Sequence, residues 1–451
     1  MPRYKSTYQS ISPLRRLGLT TLALASLLAS PANAADTPAP DFPAPREISA
    51  TADAPKPTGT LRLPQAISLA IESSPELRAF AWDAQSSLAR IRQARLWENP
   101  ELEYERENFG GTGKFSGSDK AESTLSLAQT LPLGGKRTQQ RKIAELDSQL
   151  ADWDYHAARI QTIVTVTHRF VAALAAERRL ELAKQELELA KATEQLTQSR
   201  VDAGDASPVE LSRVVVPVVT AELALKRAER LRDAAYRNLS LSWGERVVTF
   251  TDIAGDLDAV SPAPSPDTLA QYIGDSPEVA RWAIEISSRI AERHLARAEA
   301  VPNLRGRIGL KRDRESGDEA LVLGISLPLP LFDRGQAKAQ SARASEASAR
   351  SRQRATELRL ESQLGESYSA LANAYDEATA IRDRALPAAE KAYQGTQFAF
   401  KEGKLPFLDV LDAQRTLFEI QESYLQALED YHFAAATIES LIGRSLADLP
   451  N

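Results

Sequence analysis

The chain has 451 residues, of which 61 are acidic and 55 basic, and its formal net charge at pH 7 is −6. This balance provides no basic stripe for binding nucleic acid. Cysteine is absent and the single methionine is Met1, which excludes disulfides, thiolate nucleophiles and cysteine-based metal sites.

The first 34 residues have the pattern of a secretory signal peptide. Basic residues precede a short apolar stretch at 17–28, and Ala32-Asn33-Ala34 offers an A-x-A cleavage site. The apolar stretch is well short of the roughly 20 residues that a transmembrane helix needs. No cysteine follows it, so we expect no lipid anchor. Residues 35–60 are rich in Pro and Ala and predict an extended tether.

A helix over about 63–97 and then a β-hairpin are the first predicted elements. Leu102 and Tyr104 alternate with glutamates, and after a glycine-rich loop at 108–120, Leu125 and Leu127 alternate with small residues. Alternation with one apolar and one polar face fits a barrel wall between lipid and water. The alternative is a half-buried hairpin in a soluble sheet. Two such hairpins in one chain cannot close a barrel, so the wall would be shared between chains.

The longest predicted element is a helix over 136–202, which contains neither proline nor glycine. Its apolar residues keep heptad spacing, which predicts burial along a narrow seam against another helix. At 1.5 Å per residue the helix is roughly 100 Å long. It is too charged to lie in lipid, so we expect it to project into the periplasm. Gly204 suits a left-handed cap at its end, and a return helix follows to about Trp243.

The second half of the chain repeats this order. Ser276-Pro277-Glu278-Val279 follows Ser74-Pro75-Glu76-Leu77 by 202 residues, and Gly403 with Asp409 follows Gly204 with Glu210 by 199. This separation is far longer than a solenoid repeat. We therefore predict two large repeats, 61–256 and 257–451. The second is expected to contain a helix at 267–298, a β-hairpin, a long helix at 336–402 and a return helix at 407–442.

Pro387 interrupts the second long helix, at a position where the first repeat has Glu188. Proline lacks a backbone donor and clashes with the preceding turn, so we expect a kink. Two interpretations stay open, a boundary between two helices or a flexible point in one.

No enzyme active site is evident in the sequence. The histidines are scattered over predicted helices, without the spacing of a metal-binding or catalytic motif. We expect them on helix surfaces or seams, and we predict no cofactor and no resident metal. They are His156, His168, His294 and His432.

Charged residues are partitioned between predicted strands. Glu103, Glu105 and Glu107 lie on the first strand, whereas the third carries Arg305, Arg307 and Lys311. The sequence leaves open whether they pair across the strands.

Asp409 and Asp412 lie one turn apart at the start of the second return helix and so share a face. Acidic residues in a first turn also favour the helix dipole, and this is the simpler explanation of the pair.

Together these features resemble the TolC-like outer-membrane efflux channels over residues 61–449, and within them the CzcC-like components of cobalt–zinc–cadmium efflux systems. The resemblance is carried by Leu131-Pro132-Leu133-Gly134-Gly135-Lys136-Arg137, by Leu327–Gly335, and by Gly403 with Phe407-Leu408-Asp409-Val410-Leu411-Asp412-Ala413-Gln414. The strand-to-helix junction residues singled out are Pro132, Gly134, Gly135, Lys136, Pro328, Phe332, Asp333, Arg334 and Gly335.

The resemblance implies a mainly α-helical fold with a small β part, built from tandem-duplicated long helical hairpins and two β-hairpins. It implies a homotrimer in the outer membrane of a Gram-negative bacterium. Four strands from each chain would form a 12-stranded β-barrel, and the helices would form a periplasmic tunnel. The partners would be outer-membrane lipid, a periplasmic membrane-fusion (adaptor) protein and an inner-membrane RND pump.

The resemblance also implies roles for residues. Carboxylates matching Asp409 and Asp412 face the lumen near the closed periplasmic end, where threefold symmetry makes each a ring that attracts cations. Glu210 and Arg213 occupy the equivalent places in the first repeat, so only the second repeat would carry both rings. The adaptor-docking tips would be Val201, Asp202, Ala203, Gly204, Asp205, Lys401, Glu402, Gly403, Lys404 and Leu405.

The leading functional prediction is a passive exit duct for divalent heavy-metal cations in a tripartite efflux system. Drugs, solvents or a polypeptide of type I secretion are alternative cargoes for the same fold. A periplasmic coiled-coil adaptor is the alternative from another class. An adaptor would carry one helical hairpin with lipoyl-like and barrel segments, whereas here β-hairpins alternate with two helical hairpins.

Overall fold

The computed structural model describes residues 57–449, so the predicted signal peptide and most of the predicted tether lie outside the described residues. Within 57–449 the chain is mainly helical with a few strands, as predicted. The helices are α1 (Leu63–Ser73), α2 (Pro75–Arg95), α3 (Lys136–Asp202), α4 (Pro208–Ser240), α5 (Pro266–Ala270), α6 (Pro277–Ala298), α7 (Gln336–Ala380), α8 (Leu386–Lys401) and α9 (Phe407–Ile442). The strands are β1 (Thr60–Arg62), β2 (Glu101–Glu107), β3 (Glu122–Leu131), β4 (Asp252–Ala254), β5 (Leu304–Asp313) and β6 (Glu319–Ser326).

None of the helices in this range combines the length and the apolar character needed to cross a membrane.

The helix predicted over about 63–97 is two helices, which corrects the expectation from sequence. Ser74 is extended, with ψ of 123°, because a following proline disfavours helical backbone in the residue before it. Its Oγ accepts a hydrogen bond from the amide of Leu77 at 3.4 Å and caps α2. The helix predicted at 267–298 is also interrupted: α5 ends at Ala270, a 3-10 turn follows at Ile273–Asp275, and Ser276 before Pro277 is extended.

Two compact units make up the chain, and each takes segments from both predicted repeats. The hairpin unit comprises the described parts of Met1–Arg78, Ala158–Ser276 and Leu360–Asn451. The sheet unit comprises Ala79–Ala157 and Pro277–Arg359. The repeat boundaries at 61, 256 and 451 stay a prediction.

In the hairpin unit, a two-stranded parallel pairing fixes α1 against the long helices. Leu61 of β1 lies opposite Ile253 of β4, and both are buried in a cluster that includes Phe170 of α3 and Leu239 of α4. The sequence did not predict this pairing, because strands of three residues are too short to show a period of two.

The sheet unit contains one antiparallel sheet in the order β2-β3-β5-β6. Its register places the large apolar side chains on one face, which at one end also carries Arg106, Arg312 and Glu319, and most of the charged and small side chains on the other. Nine large apolar side chains on the first face are about half exposed or more: Leu102, Tyr104, Leu125, Leu127, Ile308, Leu310, Leu321, Leu323 and Ile325. Strands β2 and β6 each have only one hydrogen-bonded neighbour within the described chain.

Near the end of α9 the hairpin unit buries a carboxyl group. Glu439 is 4% exposed, and its Oε1 accepts hydrogen bonds from Ser445 Oγ and the Leu446 amide, both at 2.9 Å. Burial raises the pKa of Glu439 to about 7, although the two hydrogen bonds act in the opposite direction. Between its ordinary pKa of 4.5 and about 7, the folded chain therefore holds a proton that the unfolded chain has lost.

Because the folded state binds the extra proton, this group's contribution to stability falls as the pH rises from about 5 to 8. In the variant E439Q the amide keeps the acceptor oxygen and does not titrate. As the pH rises through this range, we expect the free energy of unfolding of E439Q to increase by on the order of 2 kcal/mol relative to that of the native chain. The measurement is the Tm of both detergent-solubilised proteins at pH 5, 6.5 and 8. E402Q, which changes an exposed tip carboxylate, is the control, and a Tm difference for E439Q that does not vary with pH would contradict the assignment.

Candidate constriction and docking sites

Both helical hairpins turn through the same backbone geometry. Gly204 and Gly403 have φ of 77° and 70°, a left-handed conformation that glycine adopts without steric cost. In each turn the amide after the glycine donates to the carbonyl five residues earlier, at 2.8 Å. Of the ten predicted docking residues, Val201 and Leu405 are half-buried and the other eight are exposed.

Arg200 connects the two tips, a contact that no sequence pattern indicated. Its Cζ lies 4.7 Å from the centroid of the Phe400 ring, and its Nη1 donates to Phe400 O at 3.5 Å. Its Nη2 donates to Asp205 O at 3.4 Å. Phe400 is buried, and its ring centroid lies 6.2 Å from that of Phe407 at the start of α9. The end of α3 is therefore held against the second turn.

Asp409 and Asp412 are both exposed on α9. Val410 and Leu417 are buried in one cluster with Val214 of α4, so the aspartates point away from the apolar seam. Within residues 57–449, no hydrogen bond or ion pair joins either carboxylate to another side chain. The structure thus leaves both carboxylates available to water or to ions.

The next cation along α9 is Arg415, which is already paired. Its Nε lies 2.7 Å from Glu419 Oε1. This hydrogen bond raises the pKa of Arg415, with a smaller contribution from the charge of Asp412. A guanidinium bound to Glu419 compensates Asp412 only in part, so the start of α9 keeps an excess of negative charge.

The first repeat differs at the equivalent places. Glu210 is half-buried and Arg213 is exposed on α4. Ser207 caps this helix by accepting from the amide of Val209 at 3.3 Å, which places Glu210 in the first turn, where a carboxylate favours the helix dipole. One acid and one base therefore stand where the second repeat has two acids.

Pro387 does not end the second long helix. A π-helical turn, Ile381–Ala385, lies between α7 and α8, and the helical path continues to Lys401. Proline cannot donate to the carbonyl of the preceding turn and its ring crowds that carbonyl, and a widened turn accommodates both effects. The structure favours one continuous leg over a helix boundary, and the flexibility of the turn stays a prediction.

The long helix α3 is also fixed to α9 by one arginine. Arg179 Nε and Nη1 lie 2.7 and 2.9 Å from the carboxylates of Glu422 and Glu429. Its Nη2 donates to Gln426 Oε1 at 3.0 Å. The planar fork of a guanidinium suits three acceptors spaced along one helix face, so this contact sets the register of α3 against α9.

At the first strand-to-helix junction, two glycines turn the chain. Gly134 and Gly135 have φ of 74° and 77°. Lys136, which follows them, is buried and donates from Nζ to Asn303 Oδ1. Pro132 is half-buried beside them.

The second junction is closed by local hydrogen bonds. Asp333 Oδ1 accepts from the Gly335 amide, and Gln336 Oε1 accepts from the Arg334 amide, both at 2.8 Å. Pro328 is exposed, and Phe332 is 93% exposed. This segment therefore presents an aromatic ring to its surroundings rather than to a core.

Two of the three cations on the third predicted strand pair with glutamates of the first across β3, and Lys311 pairs with a glutamate of β3 itself. Arg305 Nη2 lies 2.5 Å from Glu101 Oε2, and Arg307 Nη1 lies 3.7 and 3.8 Å from two glutamates of β2. The ion pairs are Arg305 with Glu101 and Glu103, Arg307 with Glu103 and Glu105, and Lys311 with Glu122.

Two of the four histidines are seam residues in the hairpin unit. Nε2 of His168 and of His432 lies 3.2 and 2.9 Å from a backbone carbonyl oxygen. Burial lowers the pKa of both rings. His156 is half-buried and His294 is exposed. In the described part of the chain, no group of three or more His, Cys, Asp or Glu side chains is arranged to hold a metal ion.

Long paired helices with glycine-capped turns are one structural feature of outer-membrane efflux channels, and a small sheet with one apolar and one polar face is another. The model of the family "Outer membrane efflux protein" matches residues 66–245 and 269–444. The chain belongs to this family.

Particular relatives are similar over most of the chain. It is 33% identical to the cobalt-zinc-cadmium resistance protein CzcC of Cupriavidus metallidurans, over 86% of this chain and 91% of the relative. It is 25% identical to the nickel-cobalt-cadmium resistance protein NccC of Alcaligenes xylosoxydans xylosoxydans, over 58% and 59%. The crystal structure of the outer membrane protein VceC from Vibrio cholerae has the same fold, with a TM-score of 0.71 at 16% identity, covering 85% of this chain and 96% of that one.

The two glycines of the first junction make a matched pair of test positions. A Cβ on Gly134 would lie 2.8 Å from Val301 Cβ and 2.9 Å from Ala298 O, whereas a Cβ on Gly135 would meet nothing within 4 Å. Both positions have positive φ, which costs an alanine about 1–2 kcal/mol. We expect G135A to lose about that much stability and G134A to lose about 1–3 kcal/mol more, because of the clash. The Tm values of the two solubilised variants measure the difference. Equal decreases in Tm for G134A and G135A would contradict the close approach of Val301 and Ala298 to Gly134.

Proposed function

We propose that this chain is the outer-membrane exit duct of a tripartite efflux system and that it passes divalent heavy-metal cations. The supporting observation is a sheet that one chain leaves incomplete. Within residues 57–449, strands β2 and β6 each have one hydrogen-bonded neighbour and no second one. Large apolar side chains are exposed on one face of the sheet, and paired charges lie on the other. Lipid would cover the apolar face and water would solvate the charged face. Neighbouring chains would supply hydrogen-bond partners along both edges.

A homotrimer would complete the sheet. Three chains supply twelve strands, with β6 of one chain beside β2 of the next, which is enough to enclose an open lumen. The helical hairpins would line the periplasmic part of the duct. Their exposed tips would dock a periplasmic membrane-fusion protein joined to an inner-membrane RND pump. That pump would supply the energy, so the chain itself would be a passive duct and not an enzyme.

Metal cargo is supported by the names of the relatives, which are cobalt-zinc-cadmium and nickel-cobalt-cadmium resistance proteins. It also suits the chemistry at the start of α9. In a trimer, Asp409 and Asp412 would form two rings of three carboxylates. Such rings attract cations and bind divalent ions at a constriction.

The function is tested in a strain that lacks the gene. The native chain should fractionate with outer membranes as a trimer and restore growth on Co²⁺, Zn²⁺ or Cd²⁺ to the deletion strain. Unchanged metal tolerance on deletion, together with lost tolerance of a drug or solvent, would replace the metal cargo by one of the alternatives. A water-soluble monomer would contradict the duct itself.

The constriction is tested by D409A/D412A in planar bilayers. Removing six carboxylates from a narrow lumen should raise single-channel conductance and raise the Zn²⁺ concentration for half block at least tenfold. E402A removes a carboxylate from the exposed tip and serves as the control. Conductance and block like those of the native channel would reject the assignment of the two aspartates to a gate.

A further inference from the structure

The polar face of β2 carries a row of carboxylates. Its members are Glu101, Glu103, Glu105 and Glu107, and Glu122 of β3 lies directly opposite Glu107. Alternate residues on a strand are about 6.6–6.8 Å apart. Carboxylate oxygens are common ligands of divalent cations. A row of this kind, left open to water, would collect the cations that the proposed duct has to release.

Fixed cations of the protein occupy this row instead. Arg305 contacts two of the glutamates, Arg307 contacts two, and Lys311 contacts the glutamate of β3. Arginine keeps its charge at any physiological pH. The ion pairs of Arg305 and Arg307 are therefore not lost through deprotonation of the arginine. Four of the five carboxylates therefore have a cationic partner within the sheet.

Small side chains on β3 make these contacts possible. Because β3 separates β2 from β5, the backbones of β2 and β5 lie about 10 Å apart. On this face β3 carries Thr124, Ser126 and Ala128, over which long side chains from both sides can meet. The neighbouring strand approaches closely here, since a Cβ on Gly309 would lie 2.5 Å from Ser126 Cβ.

We infer that Arg305 and Arg307, with Lys311, keep the wall of the duct from capturing the cations that it passes. The inference rests on the proposed function, because it takes the polar face to line the water-filled path. Binding in a pore has to be favourable enough for entry and weak enough for exit. Acidic side chains still outnumber basic ones on this face, so cations are attracted to the wall without being chelated by it.

A purely structural role explains these pairs less well. Arg305 and Arg307 are more than a third exposed, and solvent screening leaves exposed ion pairs with little effect on stability. These exposed ion pairs affect instead whether the paired glutamates can bind cations from solution.

The variant R305Q/R307Q tests the inference in the D409A/D412A background, where the proposed acidic rings are absent. The full-length trimer is reconstituted in planar bilayers with KCl as the current carrier and ZnCl₂ as the blocker. Glutamine cannot neutralise the glutamates, so we expect the Zn²⁺ concentration for half block to fall at least tenfold. Adding E103Q/E105Q should reverse this change.

Two control variants separate charge from position. R305K/R307K keeps both charges and should behave like the background. R312Q removes an arginine from the opposite face of β5, which carries Ile308 and Leu310, and should also behave like the background.

Equal half-block concentrations in R305Q/R307Q and the background would overturn the inference and leave the proposed function intact. Failure of the native chain to form a conducting trimer would overturn the proposed function instead. If R305Q/R307Q does not insert, R307Q alone is measured, because its contacts of 3.7 and 3.8 Å are the looser ones. A fall of at least threefold is then expected, and no fall overturns the inference.

Discussion

Backbone amides and carbonyls that leave water must find hydrogen-bond partners, and the two units of this chain meet this requirement differently. A helix pairs its backbone groups internally, so the hairpin unit can be completed within one chain. A sheet pairs them with neighbouring strands, and in the described part of the chain β2 and β6 each have one edge without a hydrogen-bonded strand. Large apolar side chains are also exposed along one face. In an isolated chain, water would therefore contact both the unpaired backbone groups of the edges and these apolar side chains. In the proposed trimer, lipid would cover this face and neighbouring chains would pair with both edges.

Divergence between the two repeats gives the molecule its charge pairs. Strands β2 and β5 occupy equivalent places in the two repeats and face each other across β3. Identical copies would oppose like charges, which destabilises a sheet. Here β2 is acidic and β5 is basic. The return helices differ in the same way, with Glu210 and Arg213 in one repeat and two aspartates in the other.

The sequence was sufficient for the elements that depend on local pattern. The heptads of α3, the alternation of the four strands and the glycine caps at 204 and 403 each act over a few residues, and each appears as predicted. Contacts between distant segments could not be predicted. Arg200 reaches Phe400 and Arg305 reaches Glu101, and nothing local to these residues identifies their partners. The break at Ser74 was missed although the proline after it was visible, because apolar periodicity continues through it.

The widened turn at Ile381–Ala385 also affects the tip of its hairpin. A π-turn takes in one residue more than an α-turn, and each residue of a helix is rotated by about 100° from the last. The side chains of α8 are therefore rotated about the helix axis relative to those of α7. Pro387 thus helps decide which residues near Lys401 point toward α9 and which point outward. The orientation of the proposed docking surface is in this way set by a turn more than three helical turns away from it.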